Sequence, residues 1–583
     1  MKFRELAESF EEIEKTSGRL QMMDLLAAAF QKASVSEIDK IVYMSQGVVA
    51  APFIGLEVGM GEKFVIHAIA TATGYDEKVV EKNYKKSGDL GDTAQELIRS
   101  KKQQSLHSEE LSVSKVFDSF TKIAKISGAG TQDKKIDALV ELLNSATPLE
   151  AKFITRFPIG KLRLGAGDAT TLEALSIAKQ GDRSAKDDLE RAYNLCSDLG
   201  LVAKTYYEKG LEGIKKFHIM LFHTVRPALA ERLPSAEEII GKLGRCAVDA
   251  KYDGFRVQVH KSGDTVELYS RRLERTTDMF PELVEGVKKQ VKAKEAIFEG
   301  EALAVNEETG EFYPFQLTMQ RKRKYGVAQM AEDYPLKLFA FDLLYADGKD
   351  YTKIPYGERR KQLEKMISKG GRILPSDTII TDSVKELQKY FDDCVEKGLE
   401  GIIAKDLNSE YIAGARKFAW IKLKRSYKGE LADTIDVAIV GYFVGRGARA
   451  EFGFGGFLGA VYDENEERFK TVTKVGTGFT EEQMKELKKM LDKIRLKEKP
   501  KGLDAEIKPD VWVEPKYVVT LTADEITRSP NHTAGKTETE SGYALRFPRL
   551  TSEIRTDKKA EDATSVKEII EMFKLQKHHK LEE

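Results

Sequence analysis

The stretch CAVDAKYDGFRVQVH, residues 246–260, decides how the chain is divided. Polar and apolar residues alternate on both sides of Asp253-Gly254, and Asp-Gly between alternating segments is the strongest short signal for a two-residue β-hairpin. The spacing predicts that Tyr252 pairs with Phe255 and Lys251 with Arg256, with Asp249 on the same face as Lys251. Two cations side by side are unfavourable unless something anionic lies between them. A second turn, SGD at 262–264, returns the chain through VELYSRR (266–272) and brings Arg271 or Arg272 to the same place. Three basic groups then converge on one concavity. A lysine has a reference pKa of about 10.4, so Lys251 can act as a nucleophile only if desolvation, neighbouring cations or a metal help it shed its proton. An exposed, merely solvated hairpin is the plain alternative.

Upstream of this stretch the pattern is helical. Segments such as DKKIDALVELLNS (133–145) put Ile136, Leu139, Leu142 and Leu143 on one stripe, and strand-like alternation is scarce before about residue 217. Gly-rich joints, SGAG (127–130) and LGAGDAT (164–170), precede helix-compatible sequence with Thr131, Asp168 or Thr170 as N-cap candidates. From HTVRPALAERL (223–233) short alternating segments take over, which predicts an α+β domain ending at WIKLKRSY (420–427). DVAIVGYFVGRG (436–447) and GGFLGAVYDE (455–464) then predict a mainly β domain, interrupted by a helix over 481–498 and closed by one over 561–576. The expected boundaries are 1–217, 218–424 and 425–583.

Composition excludes several classes. The chain has 583 residues, 41% of them hydrophobic and 32% charged, which describes a globular multidomain protein rather than a disordered or fibrous one. No apolar run reaches the length of a membrane span, and residues 1–15 alternate charge with apolar positions at helical spacing, unlike a secretory leader. Lys plus Arg (94) equals Asp plus Glu (94), so net charge carries no argument for a polyanionic partner. Three cysteines, Cys196, Cys246 and Cys394, lie too far apart for a four-cysteine zinc site, and a reducing cytoplasm is expected.

Chemistry-bearing residues recur downstream of Lys251. AIFEGEALAV (296–305) places Glu299 and Glu301 on one strand face amid apolar residues, where carboxylates are costly unless they bind a metal or a hydroxyl. LEGIIAK (399–405) adds Glu400 and Lys405. WIKLK (420–424) aligns Lys422 and Lys424 on one face with Ile421 and Leu423 on the other, which suits two ammonium groups gripping a phosphate.

Taken in order, KYDGFR (251–256), YSRRLE (269–274), FEGEALAV (298–305), FAFDLLY (339–345), EGIIAK (400–405), WIKLKRSY (420–427) and RFPRLTSEIRTDKK (546–559) resemble the motifs of the ATP-dependent DNA ligases, members of the covalent nucleotidyltransferase superfamily. SGAGTQDKK (127–135) and KLRLGAGDAT (161–170) resemble the DNA-binding domain of the archaeal and eukaryotic replicative type. The resemblance implies an all-α DNA-binding domain, an α+β nucleotidyltransferase (adenylation) domain and a C-terminal β-barrel of the OB-fold. It implies that Lys251 attacks the α-phosphate of ATP to form lysyl-AMP. The AMP then passes to the 5′-phosphate of a nick, and the 3′-hydroxyl expels it, in replication, repair and recombination. By the same resemblance Asp249, Arg256, Arg271, Glu301, Phe341, Arg416, Lys422 and Lys424 bind the nucleotide: Asp249 near adenine, Arg256 at ribose, Arg271 at phosphate, Phe341 stacked on the base, and Lys422 and Lys424 at the α-phosphate. Glu301 and Glu400 are implied ligands of Mg²⁺, with Mn²⁺ as the alternative, and Arg555, Asp557 and Lys558 are implied to orient pyrophosphate.

Gly128, Gly130, Gly165 and Gly167 are implied to contact the backbone of nicked double-stranded DNA, with RKRK (321–324) adding electrostatic grip. A hinge is implied near 424–430. QQSLH (103–107) sits where archaeal relatives carry a sliding-clamp peptide, with His107 in place of an aromatic. A cytoplasmic monomer with no membrane association is expected. An RNA ligase or capping guanylyltransferase shares the lysine chemistry, and a non-enzymatic nick-binding protein is the other alternative. The choice among ATP, ADP, GTP and NAD is not written in these residues.

Overall fold

The computed structural model describes the chain except for residues 102–109, 129, 163, 307–311, 314–317, 319–320, 322–325, 398, 425–433, 446–452, 477–478, 524 and 582–583. The clamp-like QQSLH, residues 322–324 of the basic run and the hinge after 424 therefore lie outside the described residues. The chain forms two compact units, Met1–His218 and Ile219–Glu583.

The first unit is built of α-helices, with no strand among its described residues. Thr131–Ser145 shows why: Ile136, Leu139, Leu142 and Leu143, on one helical stripe, are its buried positions, and most of the remaining positions are polar. The expected side-chain caps are not used. Gly130 and Gly167 are the N-caps of Thr131–Ser145 and Asp168–Gln180, and neither helix has a side-chain cap. The Thr131 hydroxyl donates back to the Gly128 carbonyl, and Asp168 accepts from the Tyr193 hydroxyl at 2.7 Å. Gly128, Gly130 and Gly165 have φ of +90°, +70° and +71°, a region only glycine enters freely.

In the second unit the strands β1 (Leu229–Arg232), β2 (Cys246–Lys251), β3 (Phe255–Ser262), β4 (Thr265–Ser270), β5 (Glu295–Ala304), β6 (Leu336–Ala346), β7 (Lys349–Asp350), β8 (Ile373–Pro375), β9 (Thr378–Thr381), β10 (Gly401–Asp406) and β11 (Arg416–Lys424) form two sheets. One runs β1-β11-β10-β2-β9; the other runs β4-β3-β5-β6-β7 with β8 beside β6. β2 and β3 do not pair. The expected hairpin at Asp253-Gly254 is wrong: Lys251 is in register with Gly401 of β10, and Arg256 with Glu301 of β5. Gly254 serves a close approach instead, because a Cβ there would stand 2.3 Å from the Ala302 carbonyl oxygen. The turn at Gly263 does make a hairpin, with Ser262 opposite Thr265.

Alternation sorts the faces of these sheets. Val248, Ala250, Ile402, Ala404, Ile421 and Leu423 share one buried core, so Asp249, Lys251, Lys405, Lys422 and Lys424 point the other way. In the second sheet Val257, Val259, Phe298 and Leu338 are buried together, which turns Arg256, Glu299 and Glu301 to the opposite face.

The C-terminal part is a β half-barrel of OB type built on β12 (Ile435–Phe443), β13 (Gly456–Asp463) and β14 (Arg468–Val475), which pair in sequence order. Its inserted helix is shorter than expected, Glu481–Asp492, because Arg495–Leu496 leaves it to pair with Val511–Val513. The closing helix begins later, at Val566, after a 3-10 turn at Ala560–Asp562. Arg321 departs from the expected basic grip as well: it is 1% exposed and paired to Glu282, since a guanidinium sequestered from solvent needs a carboxylate partner.

Gly254→Ala should cost about 1–3 kcal/mol, because the new methyl overpacks a backbone contact that cannot move aside like a side chain. Chemical denaturation checks this; a neutral result would mean that the strand crossing is looser than its geometry.

Candidate active site

A cavity of about 660 Å³ lies among the polar faces of the two sheets and the half-barrel. Lys251 and every residue assigned above to nucleotide, metal or pyrophosphate line it. They arrive from distant points in the chain. β2 supplies Asp249 and Lys251, β11 supplies Arg416, Lys422 and Lys424, and the loop before the closing helix supplies Arg555, Asp557 and Lys558.

Each cation is met by a carboxylate. Glu400 accepts from Lys251 and, through its other oxygen, pairs with Lys424 at 2.5 Å. Burial works against the Glu400 charge, but the two ammonium groups win and hold its pKa well below the ordinary carboxylate range. Lys422 pairs with Glu568 of the closing helix at 2.6 Å, and Arg416 reaches the same carboxylate at 3.1 Å. Burial lowers the pKa of Lys422, and Glu568 counteracts that. Arg555 binds both oxygens of Asp557 at 2.8 Å, while Lys558 donates to Asp436. Asp436 is buried, which raises its pKa, yet Lys558 and Arg555 bring it down to about 2. Arg271 stands 3.9 Å from Asp562, and its neighbour Arg272 donates to the Thr556 carbonyl at 3.3 Å.

The opposite end of the cavity is aromatic. Phe341 meets Trp420 edge to face at 5.9 Å, and the Lys405 ammonium lies 4.9 Å from the first ring and 4.3 Å from the second. Lys405 also donates to the Phe341 carbonyl at 3.0 Å and pairs with Asp249 at 2.7 Å. Asp249 accepts further hydrogen bonds from Thr378 at 2.6 Å and Tyr356 at 3.2 Å. It is fully engaged by protein donors. Arg256 is clasped by Glu299, with Nε at 3.2 Å from one oxygen and Nη2 at 2.7 Å from the other.

Glu301 differs from the other carboxylates. Among the described residues no cation pairs with it directly, and burial pushes its pKa up to about 7, helped by Asp253 and Glu400 and opposed by Lys251 and Arg256. A buried carboxyl at that value is suited to receive a divalent cation, which would favour its ionised form. Glu400, committed to two lysines, is less so. Among the described residues no cluster of three or more His, Cys, Asp or Glu is arranged around a point that could hold a metal. Sequence reasoning missed Asp436, Tyr411 and Glu568. Nothing local marks them, because their partners lie 122, 112 and 146 residues away.

In metal-free, nucleotide-free protein, Glu301 carries no penalty below about pH 4.5, where it is protonated whether folded or not. As pH rises from there to about 7 the unfolded chain releases this proton and the folded one retains it, so stability falls. Glu301→Gln should therefore gain in melting temperature relative to the parent across that window and level off above it. A constant difference from pH 4.5 to 8 would refute the raised pKa.

Family models cover most of the chain: "DNA ligase N terminus" matches residues 2–176, "ATP dependent DNA ligase domain" 227–424 and "ATP dependent DNA ligase C terminal region" 450–558. A "Probable DNA ligase" of Dictyoglomus turgidum is 51% identical over 583 residues, covering 100% of this chain and 99% of that one. The "DNA ligase" of Sulfurisphaera tokodaii is 44% identical and that of Saccharolobus solfataricus 43%, each over 596 residues, with 100% of this chain and 99% of theirs covered. With those matches running through all three parts, the chain belongs to the ATP-dependent DNA ligases, which seal nicked DNA.

Proposed function

We propose that Lys251 Nζ attacks the α-phosphorus of ATP, forming a phosphoramidate to AMP as the bond to pyrophosphate breaks. The AMP then moves to the 5′-phosphate oxygen at a nick, freeing Lys251, and the 3′-hydroxyl displaces AMP to close the phosphodiester. The observation that carries this reading is the single cavity in which Lys251 stands with Lys422, Lys424, Arg416, Arg555 and Lys558. In-line displacement at phosphorus depends chiefly on positioning and charge neutralisation, and this array supplies both.

Within that scheme Phe341 and Trp420 form the wall against which the adenine packs, Asp249 and Lys405 brace it, and Arg256 faces the ribose. Lys422 and Lys424 hold the α-phosphate, Arg271 an outer phosphate, and Arg555, Asp557 and Lys558 orient pyrophosphate. Phosphate oxygens compete with Glu400 and Glu568 for these cations. Glu301 is the residue best suited to hold Mg²⁺ or Mn²⁺, with Glu400 beside it, and the ion supplies neutralisation of phosphate charge. The glycine-capped helix starts at Gly128–Gly130 and Gly165–Gly167 offer N–H groups that bind DNA phosphates without reading sequence.

We assign residues 1–217 to DNA binding, 218–424 to adenylation and 425–583 to the closing domain. No helix among the described residues is long and apolar enough to cross a membrane, and the three cysteines are unpaired and buried. We assign the protein to the cytoplasm, as a monomer acting in replication, repair and recombination.

Incubation with Mg²⁺ and labelled ATP should yield one covalently bound, acid-labile AMP per chain, absent in Lys251→Ala. Protein freed of nucleotide that takes up no label would overturn the scheme. Arg555→Ala and Lys558→Ala should slow this step by about 10²-fold or more, as for loss of a group aimed at developing charge, and impair sealing of pre-adenylated nicks less. Equal losses in both assays would remove the pyrophosphate role.

A further inference from the structure

The orientation of Arg256 depends on a side chain that none of the motifs contains. We propose that Tyr411 is a positioning residue for the nucleotide: its hydroxyl fixes the Arg256 guanidinium toward the ribose hydroxyls of ATP. This rests on the ribose reading of Arg256.

Tyr411 is 6% exposed, and its hydroxyl sits where three parts of the site meet. It accepts from the Ala228 N–H at 2.9 Å, donates to Glu299 Oε2 at 2.6 Å and receives Arg256 Nη2 at 3.4 Å. One proton and two lone pairs are thereby all used. Ala228 is itself part of the clasp, since its carbonyl accepts from Arg256 Nη1 at 2.8 Å. The same oxygen therefore anchors the carboxylate on one side of the guanidinium and the backbone on the other.

The rings complete the enclosure. Tyr411 meets Trp420 edge to face at 6.1 Å, and the Arg256 Cζ lies 5.5 Å from the Trp420 ring and 5.3 Å from that of Phe341. Burial and the adjoining Glu299 raise the Tyr411 pKa well above its ordinary value, so the hydroxyl remains a donor.

A buried chain of neutral groups stands behind this junction. Gln258 donates to Glu299 at 3.3 Å and to the Val225 carbonyl at 2.9 Å, and its oxygen accepts from the Val225 N–H at 2.8 Å. His260 accepts from the Phe222 N–H at 2.9 Å, so its other nitrogen carries the proton donated to Gln258 at 3.0 Å. Burial lowers the pKa of His260 to about 3, which keeps it neutral. Glu299 thus has no freedom to turn away.

Of the five guanidinium N–H groups, four are committed to Glu299, Ala228 and Tyr411. The remaining one, on Nη1, belongs to a guanidinium whose charge Glu299 already balances. Such a donor suits a neutral hydroxyl better than a phosphate, which would favour an unpaired cation. Without the Tyr411 oxygen, Arg256 keeps its ion pair but loses the tie between Glu299 and Ala228 that sets its direction.

The test compares self-adenylation of the full chain with ATP, 2′-deoxy-ATP and 3′-deoxy-ATP. Tyr411→Phe should raise KM for ATP, the concentration giving half the maximal single-turnover rate, about 10-fold, as for loss of a charged hydrogen bond, with the maximal rate little changed. The analogue lacking the contacted hydroxyl should keep its parental KM, so discrimination narrows by the same factor. Arg256→Ala should abolish that discrimination. If it does not, the ribose reading itself fails. If Arg256→Ala abolishes discrimination and Tyr411→Phe preserves it, raising KM for all three nucleotides equally or for none, the positioning role is overturned and Tyr411 is a packing residue. Glu299→Gln, which alters the same junction from the other side, should narrow discrimination likewise; full retention in that variant also overturns the proposal.

Discussion

Between Lys251 and Phe255 the backbone leaves one sheet and enters another, and it passes so near the Ala302 carbonyl that only glycine fits at 254. The separate surroundings of Lys251 and Arg256 follow from that crossing. Lys251 ends a strand beside β10, near Glu400, Lys422 and Lys424, while Arg256, five residues on, is the second residue of a strand beside Glu299 and Glu301. A hairpin would have set the two cations opposite each other on one ribbon. The crossing instead gives each its own carboxylate and lets the cavity open between the sheets.

Electrostatic balance shapes the rest. A cavity crowded with lysines and arginines would be costly to bury, and the chain meets this with Glu400, Glu568, Asp436, Asp557 and Glu299, each bound to one or two cations. Glu301 stands outside this pairing and holds its proton to about pH 7. The asymmetry separates carboxylates committed to protein cations from one that keeps its proton.

Much of this was legible in the sequence because strand alternation is a local property. The apolar positions of β2, β10 and β11 had to share a core, so Lys251, Lys422 and Lys424 had to share the other face. Helices in the first unit were readable for the same reason, from the stripe of Ile136, Leu139, Leu142 and Leu143. Local rules failed where tertiary packing overrode them. Asp253-Gly254 has hairpin chemistry, but β2 and β3 each found better partners far along the chain. Thr131 and Asp168 are good caps by residue type, yet glycine occupies the cap and their oxygens bond elsewhere. Arg321, in a basic run, is buried against Glu282.

The sequence by itself determined which residue types face together along each strand, and hence that one lysine, several further cations and a few buried carboxylates must be reckoned with. Only the tertiary structure decided which carboxylate holds which cation. Periodicity acts over a few residues, whereas Tyr411 meets Glu299 across 112 positions and Lys422 meets Glu568 across 146. Such pairings are set by how the sheets and the half-barrel pack, and no local rule of spacing reaches that far.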